Sequence, residues 1–373
     1  MRKDGTVSVL MSLPNLGLGG EQRQTVNMAN ALCGKMRCVI FSLGGGELER
    51  EADGRVAILF PCYPAFVKRS RFLSFVWGLF ALARAVRKEK PDVLYSRHWT
   101  KIPNIIIGKI FGIKTVWSDG SGANFLKDKK PLLFFAHRFA ISYADLVTAN
   151  SKGVADENRD VYKLRRAPEV VYNLMDTGAI ERKSGEQVNH KWLGEQTPLV
   201  ISVCRLVRRK GLRTLLDAVK IANEKTPVRL LIAGDGELKE KLISHAEKIG
   251  MADKTDFLSQ EENPHRFTAK CDLFVCPSER EGLSNSLLEA AALGMPIVST
   301  NHPFGADEII EDGESGILVP VNNTQKMAEA IVKLIENRPL AKLMGEAARK
   351  HAANFNIEKM AERFKTIFER VAR

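Results

Sequence analysis

Twice along this chain, short runs rich in β-branched and aromatic residues alternate with stretches whose apolar residues recur at helical spacing. The first series has such runs at 7–13, 38–42, 56–60, 93–96, 115–118, 146–149 and 170–172, with amphipathic stretches at 22–33 and 72–90 among them. The second has runs at 199–204, 229–233, 255–258, 273–276, 297–299 and 316–319, separated by helical stretches at 212–224, 237–249, 285–293 and 324–337. Parallel strands need a crossover connection, so this alternation predicts parallel sheets with helices on both faces. Two series predict two doubly wound, Rossmann-like α/β domains in tandem. Open α/β sheets bind ligands at the carboxyl ends of their strands, so the chemistry is sought in the loops after strands, lining a cleft between the domains.

The stretch 179–196 is polar and holds two glycines, which makes it the candidate linker. The expected organisation is a first domain at 1–178, the linker at 179–196, a second domain at 197–354 and a charged amphipathic helix at 355–373. A chain of 373 residues suffices for two separate cores. Charge is unevenly spread: residues 1–183 hold 29 basic and 17 acidic side chains, while residues 184–373 hold 27 of each. The whole excess of +12 sits on the first half, as expected where one domain faces an anionic surface. The apolar segment 72–83 is well short of the roughly 20 residues that span a bilayer. The N-terminus has no apolar segment of the kind that opens a secretory signal. Six cysteines without a C-x-x-C pair are expected to be reduced thiols in a cytoplasmic protein.

A glycine loop, Gly17 to Gly20, follows the first run and opens a helix, the position of a phosphate-binding loop. Gln22 stands where G-x-G-x-x-G needs its last glycine, and no G-x-x-x-x-G-K-[ST] occurs. A nicotinamide-dependent oxidoreductase is therefore disfavoured. Close approach of backbone to a ligand or facing domain is the reading of Gly19 and Gly20. The richest segment is 277–290, Pro-Ser-Glu-Arg-Glu-Gly-Leu-Ser-Asn-Ser-Leu-Leu-Glu-Ala. A strand ends there, a loop carries Glu281, and a helix opens near Ser284–Ser286 with Glu289 one turn inside. Carboxylates suit sugar hydroxyls and helix-start amides suit phosphate oxygens. The bare spacing is equally that of a capped helix with two solvated glutamates.

This segment, with two glutamates eight positions apart, resembles the signature of retaining glycosyltransferases of family four, which have the GT-B fold. Further motifs resemble that family in the expected order: Gly17 to Gly20 with Asn27-Met-Ala-Asn-Ala-Leu32, Asn173-Leu-Met-Asp-Thr177, the segments 203–212 and 232–237, and 305–319. The resemblance implies two Rossmann-like domains facing a central cleft, with a C-terminal helix crossing back to the first domain. It also implies roles residue by residue. Arg205 and Lys210 match the cationic pair on the donor diphosphate, where fixed cations stabilise the departing charge. Glu281 matches the carboxylate on the donor sugar, near Gly282, Leu283, Ser284 and Asn285. Glu289 matches the acceptor of the ribose hydroxyls, and the amides of Ser286 and Leu287 reach the phosphates. Gly234 and Gly236 let the chain approach the nucleotide, Leu258 and Ser259 edge the base, and Gly19 and Gly20 complete the donor site.

The acceptor side departs from the family. Many members carry a histidine where this chain has Ser118 and Asp119. Asp119 is either the group that accepts or orients the acceptor's proton, or an Asp-Gly turn residue. His98 is the other candidate, catalytic or merely packed. No metal cofactor is expected, since Asp-x-Asp and H-E-x-x-H are absent and Arg205 and Lys210 supply the neutralising charge. From Lys68 to Lys90, seven basic residues and one acid flank the apolar block. That reads either as a helix on an anionic membrane surface or as a core helix with solvated ends. The expected protein moves a hexose or N-acetylhexosamine from a nucleotide sugar, most simply a UDP-sugar, to a glycan or lipid-linked oligosaccharide. It would do so at the inner face of the cytoplasmic membrane, without nucleic acid as a partner. The alternative is a non-catalytic nucleotide-sugar or polyanion-binding protein.

Overall fold

The computed structural model of the chain describes residues 5–64, 67, 70–98, 100–124, 127, 130–259 and 261–373. The chain forms two compact units, one of Met1–Leu174 with Ile357–Arg373 and one of Met175–Asn356.

The first unit is built on a seven-stranded sheet in the order β3-β2-β1-β4-β5-β6-β7. Its strands are β1 (Ser8–Leu13), β2 (Arg37–Ser42), β3 (Ala57–Leu59), β4 (Val93–Ser96), β5 (Lys114–Asp119), β6 (Leu146–Ala149) and β7 (Glu169–Val170). Every pairing is parallel, with Val9 opposite Cys38 on one side and Val93 on the other. The twofold period of a strand divides the core. Val9, Met11 and Leu13 face the layer of Val26, Ala29 and Phe364, while Leu10 faces that of Leu82, Val86 and Ile107. The helices Gly20–Leu32 and Ile357–Ala372 therefore cover one face, and Arg71–Glu89, Lys101–Phe111 and Pro131–Ile141 the other. The C-terminal helix belongs to this first unit, where Phe364 and Phe368 meet the buried Tyr95 ring edge-on at 6.0 and 5.6 Å.

The second unit carries a six-stranded parallel sheet in the order β10-β9-β8-β11-β12-β13. These strands are β8 (Leu199–Val203), β9 (Arg229–Ala233), β10 (Thr255–Leu258), β11 (Leu273–Cys276), β12 (Ile297–Thr300) and β13 (Ile317–Val319). All thirteen expected strands are present, in two Rossmann-like sheets. In each sheet the order reverses beside the central strand, between β1 and β4 and between β8 and β11, which opens a crevice at the strand ends there.

The stretch 179–196 is not the junction expected of it. It opens within the helix Thr177–Ser184, capped by the Asp176 carboxylate accepting from the Ala179 amide, and all of it lies inside the second unit. Its tail is anchored: His190 hydrogen-bonds Asp256 at 3.0 Å and Trp192 is buried. Polar composition marked a surface connection, and tertiary contacts of a few residues tied it down.

Candidate functional site

In the second unit, the loops after β8 and β11 are drawn together by backbone. Gly211 adopts φ +64, and a Cβ there would collide with the Pro277 carbonyl oxygen. The Glu279 amide donates to the Arg209 carbonyl at 2.8 Å. These two contacts bring Lys210 beside Glu281, and the two side chains form an ion pair with 12% and 8% of their surface exposed. The Ser278 hydroxyl donates to the same Glu281 oxygen at 3.0 Å. Burial opposes ionisation of Glu281, but Lys210 and then Arg209 outweigh it and hold the carboxyl below its ordinary 4.5. Lys210 is shifted the other way: burial disfavours its charge, and Glu281 more than restores it. At neutral pH both groups are charged.

The loop after β12 is fastened to the same place. The Thr300 hydroxyl donates to the carbonyls of Cys276 and Ser278. Two residues on, His302 is 2% exposed; both ring nitrogens are buried without a well-formed hydrogen bond, and the Phe304 backbone interacts only weakly with the ring. Burial depresses its pKa below 6.5, against the nearby Glu281 charge. Nothing in the sequence marked His302; a histidine before a proline in a loop carries no spacing signal.

The other expected donor residues of the second unit lie in the loops and helix starts that follow its strands. Arg205 follows β8 and is exposed. Gly234 and Gly236 follow β9, where the chain runs against the loop after β8 and the Leu206 amide donates to the Asp235 carbonyl at 2.8 Å. Leu258 and Ser259 close β10. Gly282, Leu283 and Ser284 are buried ahead of the helix Asn285–Ala292, which carries Ser286 and Leu287 in its first turn and Glu289 in its second. Its N-cap, Ser284, makes no side-chain capping bond, so the first-turn amides are not consumed by it. Gly19 and Gly20 belong to the first unit, at the N-cap and first position of the helix Gly20–Leu32.

In the first unit the structure corrects the reading of Asp119. Its carboxylate is buried and already holds three donors: the Lys101 ammonium, the Trp117 indole N–H at 3.0 Å and the Asn158 amide at 3.0 Å. Lys101 also lies 4.8 Å from the Trp117 ring centroid. A carboxylate so engaged is a structural tie, since accepting a proton would break the ion pair with a buried lysine. His98 is placed differently. Its side chain is one-third exposed, its Nε2 lies 3.7 Å from the Glu21 carboxylate, and its buried Nδ1 has no hydrogen-bond partner. Burial lowers its pKa while Glu21 opposes the shift. Arg97, 5% exposed, donates to Asn173 at 2.9 Å and leaves its Nε unpartnered. Glu21 and Arg97 escaped the sequence reading because their neighbours come from separate strand ends.

Within the segment from Lys68 to Lys90, a helix packs on the sheet as the core reading expects, and it also carries exposed apolar residues. Lys68 and Arg69 lie outside the described residues. The helix Arg71–Glu89 packs Leu82 and Val86 on the sheet, yet leaves Phe72, Leu73, Phe75, Val76 and Phe80 exposed. Among the described residues no helix is long and apolar enough to cross a membrane.

Two Rossmann-like parallel sheets, with charged groups and a helix start at the strand ends of the second, define a GT-B architecture, and comparison with known proteins agrees. Residues 18–179 match the model described as Glycosyltransferase Family 4, and residues 186–351 that described as Glycosyl transferases group 1. The chain is 31% identical over 268 residues, 69% of its length and 72% of the relative's, to N-acetylgalactosamine-N,N'-diacetylbacillosaminyl-diphospho-undecaprenol 4-alpha-N-acetylgalactosaminyltransferase of Campylobacter jejuni. It is 27% identical to the lipopolysaccharide core biosynthesis glycosyltransferase LpsE of Rhizobium meliloti, covering 88% of this chain and 89% of that one. Among solved structures, the Anabaena protein HepE in complex with UDP and glucose superposes with a TM-score of 0.82 at 19% identity, covering 97% of this chain and 99% of that one. The chain belongs to glycosyltransferase family 4.

Proposed function

We propose that this glycosyltransferase moves a hexose or N-acetylhexosamine from a nucleotide sugar, UDP-linked, to a glycan or lipid-linked oligosaccharide, with retention at the anomeric carbon. The observation that carries the reading is the buried Lys210–Glu281 pair at the carboxyl ends of β8 and β11. An ammonium has three N–H donors, and Glu281 occupies one, so Lys210 keeps donors for diphosphate oxygens. Exposed Arg205 adds the second cation, and both stabilise charge that builds as the nucleoside diphosphate leaves. Glu281, held ionised, accepts from sugar hydroxyls, Glu289 from the ribose, and the amides of Ser286 and Leu287 donate to phosphate.

Transfer breaks the bond from the anomeric carbon to the phosphate oxygen and forms one to the acceptor oxygen on the same face. The acceptor's proton passes to the departing phosphate, with His98 the remaining side chain of the first unit proposed to assist it. No metal is assigned a step. The UDP and glucose bound by the Anabaena protein and the lipid-linked substrate named for the Campylobacter relative support the donor and acceptor classes. The excess cationic charge of the first half supports a place at the cytoplasmic membrane face.

A donor screen tests this: UDP-, GDP- and ADP-sugars, following release of free nucleoside diphosphate with and without EDTA. The expected result is slow, EDTA-resistant hydrolysis of a UDP-sugar, lost in Arg205→Ala and Glu281→Ala. Absence of both binding and hydrolysis for every donor would overturn the assignments.

A further inference from the structure

Among the described residues, sixteen large apolar side chains are exposed, and all but Phe60 and Leu343 lie on or just after three helices. These are Arg71–Glu89, Lys101–Phe111 and Pro131–Ile141, neighbours on one face of the seven-stranded sheet, the first packing on the second and the second on the third. Their inward side chains form ordinary core: Leu82, Val86 and Ile107 lie against β1, β2 and β4, and Ile105 meets Phe134. Their outward side chains are apolar as well. Phe72, Phe80, Ile110, Leu132 and Phe139 are between 68% and 85% exposed. A helix layer facing water carries polar residues there, so an apolar outer face on three adjacent helices marks a surface that something covers.

The charge pattern says what. Each apolar group adjoins exposed cations in sequence: Arg84, Arg87 and Lys88 follow Phe80, Lys109 precedes Ile110, and Lys130 precedes Leu132. The three helices hold a single acidic residue, Glu89, which is paired with Arg37. A second copy docking on this face would set cations against cations with no carboxylate to meet them. Phosphate headgroups over an acyl layer match both features at once.

We infer that this three-helix face seats the protein on an anionic lipid bilayer, its apolar side chains inserted at the boundary of headgroups and acyl chains and its cations on the phosphates. The inference rests on the reading of the acceptor as membrane-borne, and it replaces the single segment from Lys68 to Lys90 with a surface of three elements. Leu132 and Phe139 are then as important to docking as Phe72 and Phe80.

The test is co-sedimentation of the full chain with vesicles of phosphatidylglycerol and phosphatidylcholine, or of phosphatidylcholine alone, at low and high salt. Binding to the anionic vesicles is expected, reduced at high salt and weak on the neutral ones. Phe72→Glu with Phe80→Glu, and separately Leu132→Glu with Phe139→Glu, should each lower the bound fraction at least tenfold. Arg84→Gln with Arg87→Gln and Lys88→Gln should remove most of the salt dependence. All are surface changes, so donor hydrolysis in vesicle-free buffer should stay within twofold of wild type and shows that each variant is folded. No binding by the wild type, or unchanged binding by the Leu132 and Phe139 variant, overturns the inference. So does a wild-type dimer by light scattering that the same variants dissociate. Vesicle binding without any donor hydrolysis would instead overturn the transferase reading and leave this surface standing.

Discussion

Lys210 and Glu281 are 71 positions apart in sequence and form a buried ion pair, joined because Gly211 lets its loop run against the carbonyl of Pro277. Removing one partner leaves the other charge buried without compensation, which costs about 3 kcal/mol or more. Lys210→Met is therefore expected to lower both stability and donor turnover. Lys210→Met with Glu281→Leu should recover much of the stability by restoring a neutral interior, with turnover still absent. Urea denaturation beside donor hydrolysis separates the two effects. The sign of the pH dependence follows from the depressed Glu281 pKa. Its contribution to stability is complete above the unfolded carboxylate value of about 4.3 and is lost as pH falls through the folded value. The double variant should lack that acid-side loss.

Asp119 gives a test of tie against base. Asp119→Asn keeps the shape but removes the charge that Lys101 needs, so a loss of about 3 kcal/mol in stability is expected. Turnover per folded molecule should remain within a few-fold of wild type. A variant with wild-type stability and a thousandfold lower kcat would return Asp119 to a catalytic role.

The two-sheet architecture was legible because strand period and helix period are written in local sequence, and most of the thirteen strands are bounded within a residue or two by turn residues. The region of Glu281 was legible because carboxylates, small capping residues and a helix start fall within one short segment. What stayed hidden depends on distant packing. Asp119-Gly120 reads locally as a turn or an acid, and only the fold shows Lys101 and Asn158 arriving from other elements. His302 and Arg97 look ordinary until burial strips them of water. The polar stretch 179–196 looked like a linker because its anchors, Asp256 among them, lie far along the chain.

Gly211 and Gly250 separate backbone strain from crowding. Both have positive φ, at +64 and +74, but nothing lies near the Cβ position at Gly250. Gly250→Ala should cost about 1 kcal/mol, the strain of a left-handed residue with a side chain. Gly211→Ala adds the collision with Pro277 and should cost at least about 2 kcal/mol, with donor turnover falling tenfold or more as Lys210 is displaced. Equal effects of the two substitutions would show that the close approach at Gly211 does not position the pair.

His137 is buried edge-on against Trp117 at 5.1 Å, and burial, helped by Lys101, depresses its pKa to about 4. The folded chain therefore holds it neutral where the unfolded chain, at about 6.5, takes up a proton. Its contribution to stability is complete above pH 6.5 and is lost as pH falls toward 4, a change of about 3 kcal/mol. His137→Phe keeps an aromatic ring beside Trp117 and should flatten stability across that window, read as melting temperature against pH.

His302 separates structure from ligand recognition in the second unit. Its two ring nitrogens are buried, with only a weak interaction to the Phe304 backbone, so they contribute little to stability that a carbon ring would lack. Replacing a poorly partnered buried polar group by an apolar one of similar shape is neutral or stabilising, here by up to about 1 kcal/mol. His302→Phe is therefore expected to hold or raise the melting temperature. Because the loop of His302 is tied to the loop of Glu281 through Thr300, the same variant is expected to weaken donor binding about tenfold, with loss of polar contacts to the sugar. Calorimetric titration of the donor nucleotide sugar and of the bare nucleoside diphosphate tells where the loss falls. Weakening confined to the sugar-bearing ligand places His302 at the sugar. Equal weakening of both moves it to the diphosphate, and a melting temperature that falls with donor affinity unchanged makes it a packing residue.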